Sequence, residues 1–317
     1  MHYLFEPGLW SSSPVRVAVL VGTVVAITSG VVGVFTVTRG QSFAGHSLAD
    51  VATTGGSGAF LIGLDQFWGF LVFGVAAAIM LEVIGVQRRR GRDVATGVVL
   101  GAALGLAALF LYLGSEHSST TGASFTVLFG SMFVIAPSTV PVLVASGAVA
   151  VIVILVLARV LLLSSLSPDV AAARGVPVRA VGAAYLVALA ISVSLSAVAI
   201  GAVLSTALLI GPAAAALRIA KGPVRAMVTA ALIGVAVTWI GILLAYDSYY
   251  WPPHGHAWPV SFFIVTLVVI AYLLTYLRRP ARRRRSATPG RPGATGVAGT
   301  AGAPRPKVEV PEIEVTG

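Results

Sequence analysis

The chain has 317 residues, of which 57% are hydrophobic and only 10% are charged. Soluble domains carry about 25% charged residues, so this composition excludes an ordinary soluble protein. The chain contains no cysteine, which excludes disulfide bonds and thiolate metal sites. Its formal net charge of +10 would suit a nucleic-acid-binding protein. The basic residues, however, cluster between apolar runs and near the C-terminal end, as they do in the cytoplasmic loops of membrane proteins.

Apolar runs of about 20 residues recur along the chain, and each is long enough to cross about 30 Å of hydrocarbon. They predict an all-α, polytopic bundle of about eight or nine membrane helices. The predicted segments are 15–38, 43–64, 67–87, 93–114, 138–163, 179–199, 200–218, 225–246 and 259–277. The stretch 114–137 has an apolar second half that is too short to span, and it is interpreted as a re-entrant or interfacial helix.

Basic and acidic residues lie mostly at opposite ends of these segments. One set of ends holds most of the basic residues, including Arg39, positions 88–90, Arg174, Arg218 and the run that starts at Arg278. The opposite ends hold the acidic residues Glu6, Asp65, Glu116 and Asp247. The positive-inside rule therefore predicts a multi-pass protein of the cell membrane with its N-terminus outside and its C-terminus in the cytoplasm.

The loop SSLSPDVAAARGVPVRA (164–180) predicts a short amphipathic helix on the cytoplasmic side. Ser167 suits the N-cap, Pro168 the first helical position and Asp169 the positive start of the helix. Gly175 suits the position just past the end. Such a helix either connects two membrane helices or serves as a docking element for another protein.

The stretch VAIGAVLSTALLIGPAAAALRIAKGP (198–223) places Pro212 inside an apolar run, where it is expected to bend or break the helix. Ser205 and Thr206 are expected near the middle of the membrane. Broken helices at that depth are tolerated where they line a cavity, so this segment predicts a transport pathway. The alternative is a segment that serves helix packing alone.

The tail begins with the basic run RRPARRRRS (278–286) and continues with Gly, Pro, Ala and Thr. The chain therefore divides into a permease-like membrane domain, 1–279, and a tail, 280–317, that is predicted to be disordered because it cannot bury a core. The basic part is expected to lie against the anionic inner leaflet as a topology anchor. A regulatory or partner-binding role for the tail is the alternative.

Several of these stretches together resemble one family, the membrane subunits of ABC importers for zinc, manganese and iron. SPDVAAARGVPV (167–178) is similar to the motif of that family's cytoplasmic coupling loop, and IGAVLSTALLIGPAAAALRIA (200–220) to the motif of its following helices. GVFTVTRGQSFAGHSLADVATTG (33–55) is similar to a run that precedes its second membrane helix. The resemblance covers roughly residues 15–277 and implies the same permease fold.

The resemblance also implies a metal path. In the family, an aspartate and a histidine four residues apart are thought to line it; here the order is exchanged, with His46 first and Asp50 second. The i, i+4 spacing places both on one helix face, and imidazole and carboxylate both bind divalent transition metals. The alternative is a His–Asp pair that only holds the packing. Three further residues are weaker metal candidates: Glu82, His254 and His256.

The chain has no G-x-x-x-x-G-K-[ST] loop, so it is expected not to hydrolyse ATP itself. The resemblance implies three partners: a separate ATPase that docks on 167–175, an extracytoplasmic solute-binding protein and a second permease copy or paralogue. It implies no permanently bound cofactor, and zinc, manganese or iron as the transported substrate. Two alternatives stay open: a permease of the same fold for a metal chelate, and a membrane anchor or sensor without transport.

Overall fold

The computed structural model describes residues 12–84, 92–117, 123–130, 132–251 and 258–277. Within these ranges there is no strand, and eleven α-helices follow in chain order. They are α1 (Ser13–Thr38), α2 (Ser42–Leu61), α3 (Gln66–Ile84), α4 (Arg92–His117), α5 (Ala123–Phe129), α6 (Val140–Leu166), α7 (Pro168–Ala173), α8 (Val178–Ile200), α9 (Ser205–Ile219), α10 (Pro223–Ser248) and α11 (Val260–Leu277). A helix overlaps each of the nine predicted segments, which confirms the all-α polytopic fold. The predicted tail, 280–317, lies outside the described residues.

Five helices of the described ranges are long and apolar enough to cross a membrane, judged by length and composition: α1, α3, α6, α8 and α10. The apolar stretches of α4, α9 and α11 are shorter. Helix α2 is not among either group, because serine, threonine and glycine replace large apolar residues along it. The number of crossings beyond these five stays a prediction.

Helices α1 and α8 pack against each other at the centre of the bundle and are the most buried of the five long apolar helices. Helix α2 packs against both α3 and α4, and α2 and α3 also contact α8, whereas α9, α10 and α11 adjoin one another on the α1 side. Buried hydroxyls join the central pair: Ser29 Oγ lies 2.9 Å from Ser196 Oγ and 3.4 Å from Ser192 Oγ. Hydrogen bonds of this kind hold helices together in lipid, where burial of apolar surface between helices contributes little.

Small residues bring helix backbones into direct contact, as the abundance of Gly and Ala predicts. A Cβ atom on Gly30 would lie 2.7 Å from the backbone nitrogen of Ala231, so α1 and α10 touch through their backbones. Gly55 of α2 and Gly69 of α3 each face the other's carbonyl oxygen in the same way. The side chains of larger residues would push these helices apart.

Helix α8 ends at Gly201, and the chain turns before α9 begins at Ser205. Gly201 has a φ of +92°, which ends a right-handed helix and which side chains rarely tolerate. The freed backbone is paired with α5: Ala202 N donates to Val127 O and Val203 N to Leu128 O, both at 3.3 Å. The predicted short helix in 114–137 therefore exists as α5, and it supplies the hydrogen bonds that irregular backbone needs inside a membrane protein.

Pro212 was expected to bend or break its helix, and it does not break it; the bend stays a prediction. Helix α9 runs from Ser205 to Ile219 with Pro212 buried inside it. Proline removes one donor from the helix ladder, but neighbouring helices allow membrane proteins to keep such a residue inside a helix. The interruption lies earlier, at Gly201, because the positive φ there cannot be continued as an α-helix.

Candidate functional site

The turn between α1 and α2 holds the start of α2 in place. Gly40 has a φ of +64° and donates its N–H to the carbonyl of Val37 at 3.1 Å, while Gln41 donates to Thr36 at 2.9 Å. This pair of hydrogen bonds is the Schellman ending, which terminates a helix with glycine in the left-handed conformation. Helix α2 therefore starts at Ser42 in a defined direction, and its first turns carry the predicted metal pair.

His46 and Asp50 lie on one face of α2, as their spacing predicts. His46 Nε2 is 3.7 Å from Asp50 Oδ2, too long for a direct hydrogen bond. Two ligands of one transition metal ion, each about 2.1 Å from it, lie about 3 to 4 Å apart, so both groups can reach a shared cation. The side chain of His46 is 54% exposed and that of Asp50 is 16% exposed. The imidazole thus faces out of the single chain and packs little within it.

The pair is an incomplete metal site by itself. No group of three or more His, Cys, Asp or Glu side chains forms in the described part of the chain. Transition metal sites in proteins use four to six ligands, often with water among them. Within the described residues the pair has no third ligand of these types, so an ion at His46 and Asp50 needs further ligands such as water, backbone or groups outside these residues.

Helix α9 passes beside the start of α2. A Cβ atom on Gly45, the neighbour of His46, would lie 3.1 Å from Leu209 Cδ2 of α9. Ser205, at the start of α9, is fully buried and donates its hydroxyl to the carbonyl of Ala202 at 2.8 Å. Thr206 is partly buried in the first turn of α9. The hydroxyl of Ser205 thus supports the helix break, and the helix that carries Ser205, Thr206 and Pro212 adjoins the metal pair through Leu209.

Of the three weaker metal candidates, Glu82 does not join the pair. Glu82 is partly buried near the end of α3, where a Cβ atom on Gly182 of α8 would lie 3.1 Å from its Oε2. It forms no group of three with His46 and Asp50. His254 and His256 lie outside the described residues.

The predicted helix in the loop 164–180 is present as α7, and both of its ends have the predicted geometry. Ser167 Oγ accepts a hydrogen bond from Val170 N at 3.4 Å, and Pro168 and Asp169 occupy the first turn. Gly175, with a φ of +75°, follows the last turn and donates to the carbonyl of Ala172 at 2.9 Å. Asp169 is exposed, whereas Ala171 is fully buried against the bundle. The helix therefore holds a fixed position and presents an acidic residue to solvent.

One residue near the site was not predicted to have a role beyond topology. Arg39 ends α1 and is half-buried against helices that lie far from it in sequence. Its Nη1 donates to Ser164 Oγ at 3.1 Å, and its guanidinium carbon lies 5.1 Å from the centroid of the Tyr185 ring. Basic residues between apolar segments indicate the orientation in the membrane, but they do not show which basic side chain packs into the bundle.

Comparison with known proteins decides the family. The model of the ABC 3 transport family matches residues 12–283. The chain belongs to the ABC 3 transport family. The family resemblance inferred from the motifs is thereby confirmed, and the chain is a multi-pass membrane permease subunit of the ABC 3 type.

Three ABC 3 relatives illustrate the similarity. The chain is 27% identical over 281 residues to the manganese import system permease protein ScaB of Streptococcus parasanguinis, covering 88% of this chain and 96% of ScaB. It is 29% identical over 244 residues to the manganese transport system membrane protein MntC of Listeria monocytogenes, covering 77% and 85%. The structure of PsaBC from Streptococcus pneumoniae in complex with Fab has the same fold, with a TM-score of 0.72, 24% identity and coverage of 87% of this chain and 96% of that chain.

Proposed function

We propose that this ABC 3 permease moves a divalent transition metal ion, namely zinc, manganese or iron, into the cytoplasm along a path that includes His46 and Asp50. The observation that carries the proposal is the pair itself. An imidazole and a carboxylate stand 3.7 Å apart on one helix face, with the imidazole pointing out of the chain. Two of the relatives named above are called proteins of manganese import or transport systems, which supports the same class of substrate.

The exposure of His46 argues against a role in packing only. A histidine that merely holds its neighbours is expected to be enclosed by them, whereas 54% of this side chain is open. Phe43, one turn earlier on the same face, is also exposed. A half-exposed imidazole and an exposed phenyl ring at the start of one helix form a surface that still lacks a partner.

A second copy of the permease completes the site in this proposal. The described part of one chain supplies two ligands and no third. A two-fold arrangement that brings the two α2 faces together would supply two imidazoles and two carboxylates, which is enough for one ion with water in the remaining positions. The metal ion is the transported substrate in this proposal. It is bound by only a few protein ligands, so that it can also be released.

The energy for transport comes from a separate ATPase in this proposal, since the chain has no phosphate-binding loop. The ATPase docks on α7 from the cytoplasm, where the exposed Asp169 lies at the start of a capped helix. A solute-binding protein delivers the metal from outside. This arrangement places the N-terminus outside and the C-terminus in the cytoplasm, and the basic residues at the α7 end of the bundle support it.

A metal chelate is the second candidate substrate. The exchanged order of His46 and Asp50 alters the reach of each ligand, because the imidazole now stands nearer the start of α2. A chelated ion already carries its own ligands and needs fewer from the protein. A membrane anchor or sensor without transport requires no open ligand pair, and the exposed imidazole counts against it.

Manganese binding by the purified permease tests the proposal. Free Mn²⁺ gives a strong paramagnetic resonance signal that is lost on binding, so the signal counts the ions bound. We expect one Mn²⁺ per two chains, and we expect His46→Ala and Asp50→Ala each to abolish this binding. Glu82→Gln is the matched control, because it removes an acidic side chain outside the pair, and it should bind normally.

Two outcomes would contradict the proposal. Full binding by both His46→Ala and Asp50→Ala would show that the pair does not hold the ion. If the wild type binds neither Mn²⁺, Zn²⁺ nor Fe²⁺ but binds a chelated ion, the second candidate substrate replaces the first.

A further inference from the structure

The Arg39 guanidinium joins three helices at the end of the bundle that carries α7. Arg39 directly follows the last residue of α1. Its guanidinium donates a hydrogen bond to Ser164 of α6 and lies over the ring of Tyr185 of α8. Ser164 and Tyr185 are both buried, at 4% and 0% exposure. Tyr185 in turn donates its hydroxyl to Thr36 Oγ1 of α1 at 3.0 Å. The contacts thus form a closed link between α1, α6 and α8, which we call the Arg39 link.

The two helices held by Arg39 are the ones that flank α7. Helix α6 ends at Leu166, just after Ser164, and α8 begins at Val178, two turns before Tyr185. Any force on α7 therefore reaches Ser164 and Tyr185 through short stretches of helix. Ala171 of α7 is fully buried, so α7 packs against the bundle on that side.

On its other side, Arg39 is joined to the metal pair by a short, rigid segment. Gly40 and Gln41 are both held by hydrogen bonds to the last turn of α1, and α2 starts at Ser42. His46 lies in the second turn of α2. The backbone of Arg39 is therefore connected to His46 by a short segment that is hydrogen-bonded to the end of α1.

The guanidinium is not fully paired, which allows it to change partners. Arg39 Nε is buried and makes no hydrogen bond within the described residues. Burial lowers the pKa of Arg39. Glu82 rests against Gly182 of α8, at the same end of the bundle. A buried unpaired donor costs free energy, so the arginine gains from a shift of α3 or α8 that offers it an acceptor.

We infer that Arg39 is a positioning residue that couples movement of α7 to the His46–Asp50 pair through Ser164 and Tyr185. The inference rests on the proposed function, since it needs an ATPase on α7 and a metal at the pair. Arg39 touches neither the ATP nor the metal. Its role is to make the start of α2 follow the helices on which the ATPase acts.

The matched comparison is Arg39→Lys against Arg218→Lys. Arg218 donates Nη1 to the hydroxyl of Tyr272 at 3.0 Å and lies 5.3 Å from that ring, so it has the same arginine–tyrosine chemistry. These two contacts join α9 to α11. Lysine keeps the charge at both positions and loses the planar geometry.

The test uses the complete complex of permease, ATPase and binding protein in liposomes, with Mn²⁺ as the probe. We expect Arg39→Lys to lower the number of Mn²⁺ ions moved per ATP hydrolysed by roughly tenfold, the order expected for a lost hydrogen bond to a charged group. Basal ATP hydrolysis and Mn²⁺ binding by the purified permease should be retained. Arg218→Lys should leave the ratio unchanged. Ser164→Ala removes the acceptor alone and should lower the ratio by less, without a further loss when combined with Arg39→Lys.

The outcomes separate this inference from the proposed function. An unchanged ratio in Arg39→Lys, or an equal fall in Arg218→Lys, overturns the inference while transport by the wild type stands. A wild-type complex that hydrolyses ATP but moves none of Mn²⁺, Zn²⁺ and Fe²⁺ overturns the proposed function and the inference with it. If Arg39→Lys does not insert, Ser164→Ala decides alone, and an unchanged ratio in that variant overturns the inference.

Discussion

Replacing Gly201 by alanine tests whether contacts with α5 stabilise the turn between α8 and α9. Gly222 offers a matched control. The two glycines have nearly the same backbone conformation, with φ and ψ of +92° and 154° at Gly201 and +98° and 159° at Gly222. This region is adopted almost only by glycine, so alanine adds about 1 to 3 kcal/mol of strain at either position. The two sites differ in what a new methyl group would meet.

At Gly222 there is nothing within 4 Å of the added Cβ atom, so only the backbone strain remains. At Gly201 the Cβ atom would collide with the carbonyl oxygen of Leu128 and the backbone of Phe129. Moving that segment breaks the hydrogen bonds that Ala202 and Val203 donate to α5. Each is worth about 0.5 to 1.5 kcal/mol, so Gly201→Ala should cost about 1 to 3 kcal/mol more than Gly222→Ala.

The assay is the free energy of unfolding of the purified permease in mixed micelles, measured by titration with a denaturing detergent and followed by tryptophan fluorescence. The difference between the two variants isolates the contact with α5, because the backbone strain cancels. Equal destabilisation by Gly201→Ala and Gly222→Ala would refute the reasoning. It would mean that α5 does not support the break.

Two further predictions concern the end of the bundle that carries α7 and the tail. Asp169→Asn should dissociate the ATPase from the complex while the permease still inserts with unchanged stability, because Asp169 is exposed and surface substitutions change stability by about 0.5 kcal/mol or less. Co-purification of the ATPase measures this, with Glu116→Gln, a change at another exposed acid, as the control. Undiminished co-purification with Asp169→Asn would contradict the prediction. Deleting residues 286–317 should leave the transport rate of the complex unchanged, since this stretch cannot bury a core; a clear loss of rate would assign the tail a role in transport or regulation.

Sequence patterns within a few residues of each other predicted the helices of the fold. Apolar runs placed a helix at each of the nine segments, and cap chemistry placed α7, because Ser167, Pro168 and Gly175 act through neighbours only a few residues away. The spacing of His46 and Asp50 likewise predicted one shared face, since a helix has a fixed period. The motifs also led to the family, which the family model confirms.

Contacts between distant parts of the chain were not predictable in the same way. The break at Gly201 packs against α5, and only the folded chain brings Leu128 to that position. Pro212 was expected to bend or break its helix because its local effect is strong, yet the helix continues through it. The partners of Arg39 come from α6 and α8, so a basic residue between two apolar runs gave no sign of them.

The central claim is that His46 and Asp50 carry a transition metal ion into the cell, and cellular metal content tests it most directly. A strain that lacks the permease is complemented with the wild type, with His46→Ala and with Asp50→Ala at matched expression in the membrane, and each strain is examined by elemental analysis. We predict that one of manganese, zinc or iron falls in the deletion strain and is restored by the wild type and by neither variant. Full restoration by both variants would contradict the role of the pair, and a wild type that changes no metal would contradict metal import itself.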